Sequence, residues 1–474
     1  MARFIEFFKP VARYIPEIKK PGMISFKEKM FWTLFALLAY LIMAQIPLYG
    51  LPLRELGPTA MDPFYGMRVL LASSRGTLME LGIGPIVTAG LVLQLLAGGK
   101  IIDVDFTNPE DRALFTSAQK VLTIVIIFFE ATAYIAGGLY GTLSFMQAIL
   151  IMLQLLAAGV IVMLIDEMIQ KGWGFGSGVS LFIAAGVCQR VMWMMFSPIV
   201  AEDKFPLGFF TALTYTLMRG EDLGYLILRS AGLPSLVGLI TTITVFLLII
   251  YMESVRVEIP ISYARFRGYK SKYPLKLLYV SNIPIIFAAA FLAEALFFIR
   301  ILWSNMNSDN SNIWLNLIGV FNSSNPNQAL GGLAYYLTPP RSIQETLSDP
   351  LRALVYTLIL VVICIVFAVT WVEVTQMNAR EVAKQLVYSG MQIPGFRRSV
   401  GVLRTILEQY IPYLTILSGI LIGLLSATAD IFGAYGTGSG ILLCVGILYQ
   451  YYQILTRERL VEMHPAIRKL LGEE

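Results

Sequence analysis

Residues 143–165 decide the fold, because their sequence, LSFMQAILIMLQLLAAGVIVMLI, is long and apolar enough to cross a bilayer. A membrane-spanning helix needs about 20 mostly apolar residues, which satisfy their own backbone hydrogen bonds inside hydrocarbon. Similar stretches recur along the chain, and 57% of its residues are apolar against 14% charged. The sequence therefore predicts an all-α integral membrane protein with ten transmembrane helices. The predicted spans are residues 30–49, 81–97, 121–139, 143–165, 180–196, 234–252, 283–301, 351–371, 410–424 and 431–452.

The positive charges between these spans fall mainly on one side of the membrane. With a cytosolic N-terminus, 26 of the 36 Lys and Arg residues lie in inner segments, and 10 lie in outer segments or outer helix ends. Positively charged loops resist translocation, so we expect a multi-pass protein with both termini in the cytosol. A basic and polar run up to Lys29 precedes the first span, and no small-residue cleavage site follows it. We therefore expect no cleaved signal peptide.

The cysteine and histidine content argues against several kinds of chemistry. Cys188, Cys364 and Cys444 lie in or near apolar helices without CxxC spacing, which predicts small packing residues and no disulfide framework. The only histidine, His464, lies in the tail, away from any site within the spans. A His-based zinc site, a Ser-His-Asp triad and a histidine proton relay are therefore not expected. With no GxxxxGK[ST] motif either, we expect no enzyme activity, no metal and no cofactor.

Two pairs of short motifs indicate an internal repeat. Gly174-Phe-Gly-Ser-Gly178 introduces the fifth span, and Gly436-Thr-Gly-Ser-Gly440 opens the tenth. Likewise Ile83-Gly-Pro-Ile-Val87 opens the second span, and Ile283-Pro-Ile-Ile286 opens the seventh. Two halves of five spans each must have opposite orientations, so we expect an inverted repeat. The expected organisation is a cytosolic segment 1–29, a first half 30–196, an outer connecting loop 197–233, a second half 234–452 and a cytosolic tail 453–474.

Spans interrupted by glycine or proline at corresponding positions of such halves are typical of a transport path. The path should therefore run between spans two, five, seven and ten. Aliphatic residues lie near these breaks, and an apolar constriction gates a pore by excluding water. The alternative is that these side chains simply face lipid or neighbouring helices. The residues expected to form a pore ring are Ile83, Val87, Val179, Ile183, Ile286 and Leu443.

A series of motifs in order along the chain carries a family resemblance. They are Gln45-Ile-Pro-Leu-Tyr49, Asp62-Pro-Phe-Tyr-Gly-Met-Arg68, Arg75-Gly-Thr-Leu-Met-Glu-Leu-Gly82, Asp111-Arg-Ala-Leu-Phe115, Asp166-Glu-Met-Ile-Gln-Lys-Gly172, Gly176-Ser-Gly178, Tyr273-Pro-Leu-Lys-Leu277, Ser281-Asn-Ile-Pro-Ile285, Gly332-Leu-Ala-Tyr-Tyr336 and Val382-Ala-Lys-Gln-Leu386. These motifs resemble the SecY/Sec61α family, the large subunit of the protein-conducting channel, in its archaeal and eukaryotic form. The similarity covers nearly the whole chain and is weakest in the outer loops 197–233 and 303–350.

The resemblance implies a channel that translocates unfolded secretory polypeptides across the membrane and releases transmembrane segments laterally into it. Ten helices in two inverted halves would surround a central hourglass pore, and the family's pore ring falls on the six aliphatic residues named above. Residues 62–74 would form a plug in the outer funnel of the resting channel. The implied plug residues are Asp62, Pro63, Phe64, Tyr65, Met67, Arg68, Val69, Leu70 and Leu71.

Two carboxylates fall within the predicted spans and need a partner or water, because Glu at membrane depth is costly. Glu130 lies midway along the third span, and Glu294 lies about halfway along the seventh. The resemblance assigns them, with Thr88, to the polar cluster of the lateral gate. That cluster usually carries amides or an acid-amide mixture. Two facing acids would therefore either share a proton or point apart.

The resemblance also implies partners on the cytosolic side. Arg267 and Arg397 match the family's ribosome contacts, which is consistent with guanidinium binding to RNA phosphate. Positive-inside bias alone is the alternative explanation of these basic loops. The full docking set is Arg265, Arg267, Lys270, Lys272, Lys276, Arg397 and Arg398.

Further implied partners are the small single-span subunits SecE/Sec61γ and Secβ/Sec61β, nascent polypeptides with signal sequences, and the lipid bilayer. The host membrane would be a plasma membrane, with the endoplasmic reticulum as the alternative.

Two other classes of protein fit parts of the pattern. An ion-coupled secondary transporter would use an inverted repeat, broken helices and the acids Glu130 and Glu294, but it would need polar ligands where this chain has aliphatic residues. A membrane enzyme would need a nucleophile with a base or clustered metal ligands, which a single histidine makes improbable. Co-purification of small single-span subunits would distinguish a channel from both.

Overall fold

Ten long helices form the body of the protein in the computed structural model. The structure describes residues 15–22, 24–51, 68, 71–99, 101–102, 104, 108–137, 140, 143–200, 205–220, 222–229, 233–263, 269–307, 309–322, 329–340, 342–394 and 399–463. The long helices are α1 Phe26–Met43, α2 Gly84–Gly98, α3 Pro109–Ala136, α4 Phe145–Met168, α5 Gly178–Phe196, α6 Leu236–Ser254, α7 Ile283–Met306, α8 Pro350–Val374, α9 Ile411–Ile431 and α10 Gly438–Met463.

These ten helices overlap all ten predicted spans, which confirms the predicted all-α membrane architecture. Among the described residues, eight helices are long and apolar enough to cross a membrane by length and composition. The two others are α1, whose first turns contain Lys27, Glu28 and Lys29, and α2, which has only 15 residues. At 1.5 Å per residue α2 spans about 22 Å, which is less than the hydrocarbon thickness of about 30 Å. Helix α2 by itself is therefore too short to cross that core.

Several helix boundaries differ from those predicted from hydropathy. Helix α3 begins at Pro109 rather than at residue 121, because Asn108 caps it and acidic residues in its first turn favour the helix dipole. Helix α10 begins at Gly438 rather than at residue 431, because α9 continues to Ile431 and the backbone then turns. Gly436 and Thr437 in that turn have positive φ angles of 82° and 70°, which no helix accommodates.

The backbone repeats between the two halves. Gly82 and Ser281, with φ angles of 58° and 51°, each lie two residues before the start of α2 or α7. Gly176 and Gly436, with φ angles of 69° and 82°, likewise lie two residues before the start of α5 or α10. The predicted alignment of Gly174 with Gly436 is therefore wrong by two residues. In the register of the structure, Val87 and Ile286 are both the fourth residue of their helices, and Ile183 and Leu443 are both the sixth.

Among the described residues five strands lie in the connections between helices, and three of them join two long loops. The strands are β1 Arg256–Tyr263, β2 Tyr269–Lys276, β3 Val320–Phe321, β4 Ala329–Gly331 and β5 Met391–Gln392. Antiparallel pairing of β1 with β2 runs from Arg256 opposite Lys276 to Tyr263 opposite Tyr269. Because β1 also pairs with β5, the loop between α6 and α7 is attached to the loop between α8 and α9.

Short helices occupy the remaining connections. The predicted outer loop 197–233 contains two of them, Phe209–Arg219 and Gly224–Ile227. Three more lie between α7 and α8, and two lie between α8 and α9. These are Ile313–Ile318, Gly332–Leu337, Ile343–Ser348, Ala379–Tyr388 and Val400–Glu408.

The segment before α1 lies against a π-helical turn, Ile169–Trp173, that follows α4. Lys171 donates a 2.7 Å hydrogen bond to Glu17, and the Trp173 indole donates one of 3.0 Å to the Lys19 carbonyl. The Lys171 ammonium lowers the pKa of Glu17 through this hydrogen bond and through charge attraction. These contacts attach the N-terminal segment to the turn that follows α4.

Candidate pore, gate and plug

The six aliphatic residues predicted as a pore ring belong to one apolar cluster at the centre of the bundle. They come from the first two turns of α2, α5, α7 and α10 or from the residue just before α2. Four of them are buried and two are partly buried against the same cluster. The buried residues are Ile83, Val87, Ile183 and Leu443, and the partly buried ones are Val179 and Ile286.

Two buried aspartates position the first turns of α5 and α10. Asp166, near the end of α4, accepts a 2.9 Å hydrogen bond from the Val179 amide. Asp430, near the end of α9, accepts one of 2.7 Å from the Gly438 amide, and its other oxygen accepts a 3.1 Å hydrogen bond from the Tyr356 hydroxyl. A carboxylate at a helix N-terminus satisfies free amides and interacts favourably with the helix dipole. In each half, the last pore helix, α5 or α10, is therefore capped by an aspartate of the helix that precedes it.

Helix α10 approaches the start of α7 closely at Gly446. A Cβ atom at this position would overlap the side-chain amide of Asn282, the residue just before α7. Gly438 is similarly constrained, because a Cβ there would overlap the Ser426 carbonyl oxygen of α9. At Gly438 the obstacle is backbone, so only glycine lets α10 pack this close to α9, whereas a side chain at position 446 would require the Asn282 side chain to move.

The structure brings together the three residues predicted for the lateral gate. The Thr88 hydroxyl of α2 donates a 3.3 Å hydrogen bond to Glu294 of α7. The carboxyl groups of Glu130 and Glu294 lie within hydrogen-bonding reach of each other. Of the two arrangements expected from the sequence, the structure therefore excludes the one in which the side chains point apart. Beside them, the rings of Tyr134 on α3 and Phe297 on α7 stack with centroids 5.0 Å apart.

Next to this cluster lies a buried ion pair that the sequence analysis did not identify. Arg68 Nη2 is 2.6 Å from Glu80 Oε1, and the two side chains are 4% and 1% exposed. Arg68 also donates a 3.1 Å hydrogen bond to the Ser73 hydroxyl, and Glu80 accepts one from the Gly76 amide. Two opposite charges buried together with further hydrogen bonds satisfy each other at a depth where either alone would be costly.

A cavity of about 20 Å³ connects the ion pair with the gate carboxyls. Arg68, Glu80, Glu130 and Glu294 all line it, together with the stacked rings of Tyr134 and Phe297. The volume is enough for about one water molecule. One carboxylate oxygen of Glu130 has no hydrogen-bond partner among the described residues. The Arg68–Glu80 ion pair and the carboxyl groups of Glu130 and Glu294 therefore face a single small space.

The predicted plug segment contacts the start of α2 at Leu71. The Leu71 carbonyl accepts a 2.8 Å hydrogen bond from the Ile83 amide, and the Leu71 side chain lies against Gly84. Arg68 and Leu71 are the only predicted plug residues that the structure describes. The others, Asp62, Pro63, Phe64, Tyr65, Met67, Val69 and Leu70, lie outside the described residues.

The predicted docking loops are described only in part. The Lys272 ammonium pairs with Glu258 across the β1–β2 hairpin, and Lys276 lies 3.5 Å from Glu253. The backbone of Lys270 lies in β2. Arg265, Arg267, Arg397 and Arg398 lie outside the described residues.

One prediction about the cysteines is wrong. Cys364 and Cys444 are buried as expected for packing residues, but Cys188 is exposed, and its sulfur lies 3.4 Å from that of Cys444. All three are free thiols. Sequence spacing gives no sign of this contact, because the two cysteines are far apart in the chain.

An inverted repeat whose four glycine- or proline-containing helix starts meet in one apolar cluster is an arrangement typical of a membrane transport path. Comparison with known proteins agrees with this class. The family model SecY matches residues 77–452, and the model described as the plug domain of Sec61p matches residues 38–76. The chain belongs to the SecY family and is a protein-conducting channel with a plug domain.

Solved structures of the family resemble the chain over almost its full length. A structure described as that of a protein conducting channel shares 37% identity, covers 97% of this chain and 99% of its own, and has a TM-score of 0.79. Sec61 in the canine ribosome-channel complex from the endoplasmic reticulum shares 36%, with the same coverage and a TM-score of 0.77. The idle yeast Ssh1 complex bound to the yeast 80S ribosome shares 29%, with coverage of 95% and 94% and a TM-score of 0.76.

The alternative classes fit less well. A secondary transporter needs polar ligands at the helix breaks, whereas these breaks lie within an apolar cluster. Within the part of the chain that the structure describes, no group of three or more His, Cys, Asp or Glu residues is arranged to hold a metal ion. Membership of the SecY family assigns the chain to protein translocation.

Proposed function

We propose that Ile83, Val87, Val179, Ile183, Ile286 and Leu443 close the resting pore of this channel by excluding water. The observation that carries the proposal is the symmetry of two pairs: Val87 with Ile286, and Ile183 with Leu443, occupy equal positions in related helices and belong to one apolar cluster. An apolar ring forms no specific contact with a polypeptide, so it suits a passage that must accept many sequences.

The lateral gate in this proposal is the seam between α2 and α3 of the first half (30–196) and α7 of the second half (234–452). Thr88, Glu130 and Glu294 form its polar centre, flanked by the stacked rings of Tyr134 and Phe297. Polar contacts at this seam can be exchanged for water or for a passing signal sequence when the halves separate. Transmembrane segments would leave for lipid along this route.

The plug in this proposal is the segment 62–74. Its attachment through Arg68 and Leu71 supports the assignment, because these residues fasten it to Glu80 and to the start of α2. When a polypeptide enters, the ion pair and the Leu71–Ile83 hydrogen bond must give way together. The plug would therefore move as a unit.

On the cytosolic side, we propose that the loops containing Arg267 and Arg397 bind the ribosome. Two related structures are complexes with ribosomes, the canine Sec61 and yeast Ssh1 complexes. Pairing of β1 with β5 joins the two loops and supports their acting as one docking surface. Charge reversal of Arg267 and Arg397 should weaken ribosome pelleting steeply with rising salt, because phosphate contacts release counterions.

We further propose that the chain assembles with two small single-span subunits analogous to SecE/Sec61γ and Secβ/Sec61β. The host membrane is proposed as a plasma membrane, with the endoplasmic reticulum as the alternative that the canine relative supports. Fractionation of source cells with a tagged chain distinguishes the two membranes. Co-purification in mild detergent tests for the small subunits.

Reconstitution tests the whole proposal. The chain and its small subunits are placed in vesicles, and a ribosome-tethered secretory chain is offered from outside. We expect the secretory chain to become protected from protease, and a chain with a hydrophobic stop segment to become extractable only by detergent. Absence of protection with correctly inserted channels would contradict the proposal.

A further inference from the structure

We propose that Cys188 and Cys444 form an oxidation site at which a peroxide joins the two halves of the channel through a disulfide. Cys188 lies on α5 in the first half, and Cys444 lies on α10 in the second. Their sulfur atoms are 3.4 Å apart, and the Cys444 thiol also points toward the Ala184 carbonyl oxygen at 3.9 Å. A disulfide bond is about 2.05 Å long, so small rotations of the two side chains would close it.

The two thiols differ in accessibility, which assigns them different roles. The Cys188 side chain is exposed, whereas Cys444 is 8% exposed. Susceptibility to oxidation follows exposure and thiolate character, and a reactive cysteine commonly has a second thiol beside it. Cys188 is therefore the thiol that meets the oxidant, and Cys444 is the thiol that resolves the product. Cys364 of α8 is fully buried and has no thiol neighbour among the described residues.

The chemistry balances with hydrogen peroxide as the oxidant. The Cys188 thiolate attacks one peroxide oxygen, the O–O bond breaks, and hydroxide leaves, which gives a sulfenic acid. The Cys444 thiol then attacks the Cys188 sulfur, the S–O bond breaks, and water leaves. Overall, two thiols and one peroxide give one disulfide and two waters, with two electrons passing from sulfur to peroxide. A dithiol reductant reverses the reaction by thiol–disulfide exchange.

The bond would act on the pore because both cysteines lie beside ring residues. Cys444 directly follows Leu443, and Cys188 lies on the helix that carries Val179 and Ile183. Widening the ring requires neighbouring helices to separate, and a disulfide would hold α5 and α10 at one fixed separation. The oxidised channel would therefore close normally at rest and would open less far when a polypeptide enters. This consequence rests on the proposed pore ring, whereas formation of the bond does not.

The first measurement concerns the bond alone. The full chain with its small subunits, in vesicles, is treated with hydrogen peroxide, digested without reductant and analysed by mass spectrometry. We expect a peptide pair linked through Cys188 and Cys444 that disappears after dithiothreitol. Cys188→Ala and Cys444→Ala should each abolish it, and Cys364→Ala is the matched control that should retain it. No linked pair in the native chain would overturn the site.

The second measurement concerns the pore. Translocation of a secretory chain should fall by more than half after peroxide in the native protein and in Cys364→Ala, and it should recover with dithiothreitol. Cys188→Ala should translocate equally before and after peroxide. A linked pair with unchanged translocation would overturn the restriction of the pore and leave the channel function itself untouched, because untreated vesicles report that function separately.

Discussion

The Thr88 hydroxyl donates a 3.3 Å hydrogen bond to Glu294, and this contact joins α2 of the first half to α7 of the second. Glu130 of α3 lies beside the same carboxyl group. The seam between the halves is therefore polar at its centre and aromatic beside it, where Tyr134 stacks on Phe297. Water or an amphipathic polypeptide segment can replace the interactions that hold a seam of this composition together.

Neutralising the two gate acids tests whether they act together. Glu130→Gln and Glu294→Gln should each change the yield of a crosslink between cysteines placed across α2 and α7 in a background lacking the native cysteines. Because the groups are neighbours, the double change should depart from additivity by at least about 0.5 kcal/mol. Because thiolates are the reacting species, the crosslinking reaction itself depends on pH, so the yield of the parent is divided by that of the double variant at each pH. This ratio should change with pH, since only the parent carries the two carboxyl groups of the gate. Glu110→Gln, in the first turn of α3, is the matched control. Additive effects with no pH response would mean that the two acids act independently.

Opening the apolar ring should make the resting channel leak. Ile183→Gly with Leu443→Gly removes two symmetry-related side chains from the buried cluster, so water should enter the constriction and ions should follow. Conductance in a planar bilayer should rise while translocation continues. Leu354→Gly with Leu358→Gly is the control, because those α8 side chains are 62% and 58% exposed. Equal conductance in both double variants would be inconsistent with the ring.

Replacing one partner of the buried ion pair should lower the stability of the protein more than expected from replacing both partners together. Arg68→Met removes the guanidinium that lies 2.6 Å from the buried Glu80 carboxylate, and Glu80→Gln removes that carboxylate from Arg68, so each should lower stability by about 3–5 kcal/mol. The double variant should lose less than the sum of the two, because no uncompensated charge remains. Thermal unfolding of the purified complex measures the order of the four proteins. A double variant whose loss equals that sum would argue that the pair is not energetically coupled.

Removing the cap of α10 should loosen its first turn. Asp430→Ala deletes the acceptor for the Gly438 amide and for the Tyr356 hydroxyl, and we expect a loss of about 1–3 kcal/mol. Asp430→Asn keeps one acceptor and should lose less. Hydrogen exchange at the amides of Gly438 and its neighbours is the measurement. Asp166→Ala should have the same effect at Val179 in the first half. Unchanged exchange at both helix starts would contradict the capping role.

Hydropathy was sufficient to locate all ten long helices, because an apolar stretch of that length has few alternatives. It misplaced the start of α3, whose first turns are polar and extend beyond the apolar region from Pro109. It also missed the β1–β2 hairpin, although Arg256-Val-Glu-Ile alternates polar and apolar residues as a strand does. The need to cross the membrane determines where the apolar part of each helix lies, whereas local caps and strand pairing determine how far the structure extends beyond it.

The site was predictable where it depends on local motifs and not where it depends on distant contacts. Glycine and proline breaks indicated the residues of the ring, and the resemblance indicated Thr88, Glu130 and Glu294. The contact between Arg68 and Glu80 could not be predicted from their spacing in the sequence, because the connection between them is not a regular helix or strand. The caps by Asp166 and Asp430 likewise depend on how one helix ends beside the start of the next.

The matching starts of α5 and α10 also bear on how the two halves could diverge. Each half faces the membrane the opposite way, and basic loops are retained in the cytosol. An ancestral half present in both orientations would have needed opposite distributions of Lys and Arg in its two copies. The two halves therefore could not both keep the loop charges of a common ancestor. The left-handed turn at Gly176 and Gly436 works equally well in either membrane orientation, so both halves could keep it. Shared ancestry in this chain should survive in backbone-determining residues and be erased from the loops.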